Sequence, residues 1–204
     1  MLFLEFIAEQ IATAVLNVFQ HDASLLQMGA HEIAINHRIA VYLEKSLCAK
    51  SVIDEKNLSV DLEYNRRITD DMKTDNTQIS VTYENCLGQL YQKLKNVRPD
   101  IIIHERTSNL NNILWLEIKL GTDPELCADD IRKAFYAYTQ LDFRASCASL
   151  IDNVNKLLRL WIYGDASFIK YEYSIAENEI YLIFKEESCC LHPIPTYEYL
   201  KVTQ

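Results

Sequence analysis

A chain of 204 residues is long enough for one domain with a core of its own. An apolar share of 49%, with only four glycines and four prolines, excludes the disordered and fibrous classes. A formal charge of −9 without any Lys/Arg run excludes a general polyanion binder, so a polyanion would have to be held by a local basic patch or by metal ions.

The first segment, "MLFLEFIAEQIATAVLNVFQ", has no basic n-region and is interrupted by Glu5, Glu9 and Gln10, so it reads as a poor signal peptide and a poor membrane span. Phe3, Ile7, Ile11, Val15 and Val18 recur at helical spacing and predict a packing helix over residues 1–20. Two partners suit its apolar stripe, the rest of this chain and a second copy in a homodimer; packing within the chain is favoured. Residues 21–30 read as a connection. "AHEIAINHRIAVYLEKSL" follows as a second helix with Ile35, Ile39, Tyr42 and Leu43 inward. Glu32 lies at its start, on the same stripe. Either it favours the helix dipole or it contributes to a site. His37 and Arg38 fall off the stripe, and Arg38 is a partner for an acid from a sheet.

"NLSVDLEYNRRI" alternates and predicts a strand with Leu58, Val60, Leu62 and Tyr64 on one face. Residues 68–80 read as an exposed loop. "YENCLGQLYQKLKNV" reads as a helix ended before Pro99. Residues 101–103 and 113–120 form the two most apolar strands; the short "RTSNLNN" between them makes the pair antiparallel neighbours. "DPELCADDIRKAFYAYTQLDF" predicts a helix opened by Asp123 or Pro124, with Ile131, Phe135 and Tyr138 inward. "LLRLWIYG", "FIKYEYSI" and "EIYLIFKE" are strands, the last two joined by a tight turn at Glu177-Asn178, and "HPIPTYEYL" is irregular. The expectation is one α/β domain over 1–204, a mixed sheet flanked by helices, with a core at 30–140 and C-terminal strands at 155–190.

The six cysteines include no CxxC pair and fit a reducing, cytoplasmic setting; Cys189-Cys190 read as two ordinary thiols. No His/Cys spacing suggests zinc, and no cysteine has an activating partner in sequence.

Chemistry concentrates in "RPDIIIHERTSNLNNILWLEIKL", residues 98–120. Glu117 and Lys119 are two apart on a strand, so they share a face with Cα atoms roughly 6–7 Å apart. Asp100 opens the partner strand, and an antiparallel hairpin brings it beside Glu117. Two buried carboxylates repel; either one holds a proton or a cation sits between them. A hard divalent ion such as Mg²⁺ suits one or two carboxylates plus waters and a phosphate oxygen, and Lys119 then orients or activates a nucleophile. Glu32 joins as a helix acid.

Pro99-Asp100 followed by Glu117-Ile118-Lys119 resembles the PD-(D/E)xK nuclease superfamily. "HEIAINHRIAVYLE" and "VDLEYNR" look like an uncharacterised prokaryotic branch of it, and the likeness covers about residues 30–140. The resemblance implies a restriction-endonuclease-like sheet and a Mg²⁺-dependent phosphodiesterase, with Mn²⁺ as substitute. The resemblance leaves the substrate open; the leading expectation is hydrolysis of DNA by attack of a metal-activated water. Carried over, Asp100, Glu117 and Glu32 are metal ligands, and Lys119 positions the water. An RNA-cutting enzyme and a non-catalytic binding or regulatory protein on the same fold are the alternatives.

Around this motif, Arg66 or Arg67 is a candidate phosphate contact beside Glu63 and Asn65. His104 shares parity with Asp100, but a structural role is favoured. Asp130 and Lys133 either face the site or form an ordinary surface pair at i, i+3, the surface pair being favoured. Tyr136, Tyr138, Tyr163, Tyr171 and Tyr173 are either base-stacking or core residues, core being favoured.

Overall fold

A mixed seven-stranded sheet in the order β1-β6-β7-β8-β9-β10-β11 carries every residue of the motif or its neighbours. The structure, a computed structural model, describes residues 3–50, 57–64, 66–68, 74–84, 89–106 and 111–188. The strands are β1 (Leu58–Leu62), β6 (Ile101–Glu105), β7 (Leu114–Leu120), β8 (Ala145–Asp152), β9 (Leu157–Gly164), β10 (Ser167–Ala176) and β11 (Glu179–Ser188). Two small hairpins stand outside it, β2 (Arg66–Ile68) with β3 (Thr74–Asn76), and β4 (Gln78–Glu84) with β5 (Leu90–Asn96). The protein is therefore α/β with a mixed sheet.

Helices α1 (Phe3–His21) and α3 (Glu32–Ala49) cover one face, with the five-residue α2 (Ala23–Gln27) between them. The stripe Ile7, Ile11, Val15 and Val18 is buried against Ile35, Ile39 and Leu43 of α3 and against Leu116, Ile118, Leu160 and Ile162 of the sheet. The apolar face of α1 is thus used within the chain, and the connection predicted for 21–30 contains a helical turn. No helix among the described residues is long and apolar enough to cross a membrane.

One close approach holds α1 down. A Cβ on Gly164 would collide with Leu4 Cδ2 and lie 2.8 Å from the Arg144 carbonyl oxygen. Gly164→Val therefore forces the start of α1 off the sheet. The expected loss is about 1–3 kcal/mol of stability, read from urea unfolding. An unchanged midpoint would contradict this packing.

The other face carries α4 (Ala128–Gln140), which is the crossover between the parallel strands β7 and β8. A 3₁₀ turn at Pro124–Cys127 precedes it, and the Asp123 carboxylate caps that turn by accepting from the Glu125 N–H at 2.9 Å. Ile131, Ala134 and Phe135 pack on Ala148, Trp161 and Tyr163. Tyr163, Tyr171 and Tyr173 are core residues. Glu177 and Asn178 both take positive φ, 51° and 64°, as a two-residue hairpin turn requires.

The helix expected at 83–97 is not there. Tyr83 pairs with Tyr91 and Ile79 with Lys95 in the β4–β5 hairpin. Leu87, Leu90, Leu94 and Val97 have helical spacing, but the whole of β5, with Leu90 and Leu94, is exposed, while Val97 just beyond it is buried. Ile79 and Val81, within or beside the stretch expected to be loop, supply the buried face against Trp115, Ala137 and Leu141. β8, "ASCASLID", also escaped the sequence reading. It is buried along its length, but Ala145, Ser146, Ala148 and Ser149 interrupt the Val/Ile/Leu run by which a strand covered on both faces is ordinarily recognised. Cys189, Cys190 and the tail at 192–200 lie outside the described residues.

Candidate active site

Register brings the motif together. Ile101 pairs with Leu116 and Ile102 with Trp115, antiparallel. One more step places Asp100 alongside Glu117. The Asp100 carboxylate accepts a hydrogen bond from the Ile118 N–H at 2.7 Å, and its backbone carbonyl accepts from the Glu63 N–H at 3.2 Å. Both bonds pin the acid at the mouth of the hairpin.

Glu117 is 2% exposed. Trp115 Nε1 donates to its Oε1 at 2.9 Å, and Lys133 Nζ donates to its Oε2 at 3.2 Å. Lys133 also donates to Asp130 Oδ1 at 2.6 Å. Burial pushes the Glu117 carboxyl up to about 8; Lys133 opposes the shift, while Asp100 and Asp130 add to it. Asp100 is raised to about 6, first by burial; the Ile118 N–H offsets part of this, and Glu32 and Asp130 add to it. Burial also works against the Lys133 ammonium, but Glu117 and Asp130 outweigh it and hold Lys133 above the usual lysine range.

Lys119 lies at the more open end of the same face. Its Nζ is 3.3 Å from Glu32 Oε2, across 87 residues of sequence. Desolvation disfavours the charged amine, yet Glu32 more than compensates, and the Lys119 pKa is raised. Asp100, Glu117, Lys119 and Glu32 are therefore near one another in the structure.

The arrangement differs from three converging metal ligands. Glu32 turns its carboxylate to Lys119, and among the described residues no three His, Cys, Asp or Glu side chains come close enough to hold an ion by themselves. The Asp100–Glu117 pair remains. Its oxygens are hard donors, and burial, with each acid's acidic neighbours, raises both carboxyls although Lys133 opposes the shift. That donor chemistry fits Mg²⁺, which takes one or two carboxylates and fills the rest of its shell with waters and phosphate oxygens.

Lys133 and Asp130 are the residues for which the sequence favours the wrong one of two readings. They read as a surface pair, but Asp130 is buried and Lys133 reaches Glu117. The available signal was their position beside buried Ala134 and Ala137 on the crossover helix. His104 is structural: its Nε2 lies 3.0 Å from Asp61 Oδ2, its ring packs 4.5 Å from that of Tyr64, and burial lowers its pKa despite Asp61. Arg106 bonds the same aspartate. Arg38 pairs with Asp22 at 2.9 Å, not with an acid from the sheet. Glu63 pairs with Arg98 at 3.0 Å. The backbones of Arg66 and Arg67 pair with Asn76 and Asp75 in the β2–β3 hairpin; their side chains, and Asn65, lie outside what is described.

No family model matches the chain, and no curated protein or solved structure matches it.

Proposed function

We propose that the protein is a Mg²⁺-dependent nuclease of the restriction-endonuclease-like kind, hydrolysing phosphodiester bonds in DNA. The observation that carries this reading is the Asp100–Glu117 pair, two raised carboxyls side by side with Lys119 on the same face. A divalent ion, when bound, draws charge from the phosphate and makes water acidic enough to attack it. Asp100 and Glu117 supply the oxygens that would hold the ion. Trp115 and Lys133 fix the Glu117 carboxylate, one on each oxygen. Lys119 aims its ammonium at the reacting phosphate or water, and Glu32 holds that amine in place and keeps it charged.

A second reading is a non-catalytic binding protein on the same fold. It is favoured by Lys133, an internal cation already on Glu117.

The test is incubation of purified protein with DNA and with RNA, in Mg²⁺ or Mn²⁺ and in EDTA. The nuclease reading expects metal-dependent cutting, of DNA in preference to RNA. Intact substrate under every metal condition would overturn it in favour of the binding protein.

A further inference from the structure

We propose that the groove between β5 and α4 receives the phosphodiester backbone of a nucleic-acid strand leading away from the Asp100–Glu117 pair; the inference rests on the nuclease reading and adds where its substrate lies. The groove encloses about 100 Å³ and is lined by Ile79, Val81, Lys95, Asp129, Arg132, Lys133 and Tyr136.

Its two walls are fixed independently. The Gln140 side chain clamps the hairpin to the end of α4, accepting from the Ser80 N–H at 2.7 Å and donating to the Ser80 carbonyl at 2.9 Å. Ile79 and Val81 face α4 and are buried there. Their cross-strand partners are Lys95 and Lys93, which therefore stand on the α4 side of the hairpin. Asp129, Arg132, Lys133 and Tyr136 line the facing flank of α4, spaced as one helix face requires.

Charge then selects the ligand. Arg132 is paired with Asp129, and Lys133 with Asp130 and Glu117. Lys95 has no ion pair among the described residues, so the groove keeps an uncompensated positive charge on a chain of net −9. This is the local basic patch that an acidic protein needs to hold a polyanion. Lys133 is shared by the groove and by Glu117, so a strand seated here continues directly into the carboxylate pair.

The experiment is fluorescence anisotropy of a short fluorescein-labelled single-stranded DNA in EDTA. Lys95→Glu should weaken binding about tenfold and flatten its dependence on salt. Lys50→Glu makes the same charge change at the end of α3, on the opposite face of the sheet, and should leave affinity unchanged. Equal affinity of wild type and Lys95→Glu, or equal weakening by Lys50→Glu, would overturn the groove. Lys95 is exposed on the hairpin, so its replacement leaves the fold intact. Cleavage by the wild type, scored separately in Mg²⁺, distinguishes the two failures. A wild type that cuts but ignores Lys95→Glu sinks only the groove; one that neither cuts nor binds sinks both.

Discussion

Lys119→Ala abolishes metal-dependent cleavage, by a factor of at least about 10²–10³, while its melting temperature stays close to that of the wild type. The magnitude is that of removing one preorganised donor from a developing charge. The fold survives because the Lys119–Glu32 pair is about one-third exposed on both sides, and such a pair contributes about 0–1 kcal/mol. Glu32→Gln keeps the amine but loosens it, so it should retain part of the activity. Cleavage at full rate in Lys119→Ala would remove the amine from the mechanism. A loss accompanied by unfolding would show that Lys119 supports structure instead. A circular-dichroism melt on the assayed sample separates these outcomes.

Stability without divalent metal falls as pH rises from about 4 to about 8, and the ion restores it most at the alkaline end. Unfolded carboxyls titrate near 4. In the folded chain Asp100 titrates at about 6 and Glu117 at about 8. Both folded values lie above the unfolded ones, so the native state binds more protons in that window. Their favourable contribution is complete below the unfolded values and is lost as pH passes through 6 and then 8, at about 1.4 kcal/mol per pH unit per group within its window. Asp61 and Asp22 work in the opposite sense. Hydrogen bonds from Arg106 and His104 overcome the burial of Asp61, and those from Tyr42 and Arg38 overcome the burial of Asp22; both pKa values are lowered, and their contribution is lost at acid pH. Mg²⁺ favours the ionised carboxylates. Its effect on the melting temperature should therefore be larger at pH 8.5 than at pH 5.5, with pH chosen on either side of the folded values. Glu117→Gln should flatten the alkaline decline. A metal effect that is the same at both pH values would mean that the ion binds elsewhere.

How much of this was legible in the sequence follows from where local pattern and tertiary packing agree. The stripe of α1 and the Glu117–Lys119 parity depend on helix and strand period alone, and both were readable. The antiparallel β6–β7 pair followed from a short connection, and it placed Asp100. The hairpin at 78–96 was not readable, because Leu87, Leu90 and Leu94 mimic a helix, while the burial that decides the matter belongs to Ile79 and Val81. β8 was invisible because its small and polar residues break the apolar run that a strand covered on both faces usually shows. Lys133 was underrated because an i, i+3 Asp–Lys pair is ordinarily a surface feature; only the crossover of α4 over β7 carries it to Glu117. The exchange of Glu32 from metal ligand to partner of Lys119 required coordinates, since both roles place the acid on the same helix stripe.

Calorimetric titration with Mn²⁺ addresses the carboxylate pair itself. Wild-type protein at pH 8 should take up one Mn²⁺ per chain at sub-millimolar concentration and release protons as it does so, and Asp100→Asn should lose that binding while remaining folded. Absence of binding at millimolar Mn²⁺, or undiminished binding by Asp100→Asn, would contradict a cation site at Asp100 and Glu117.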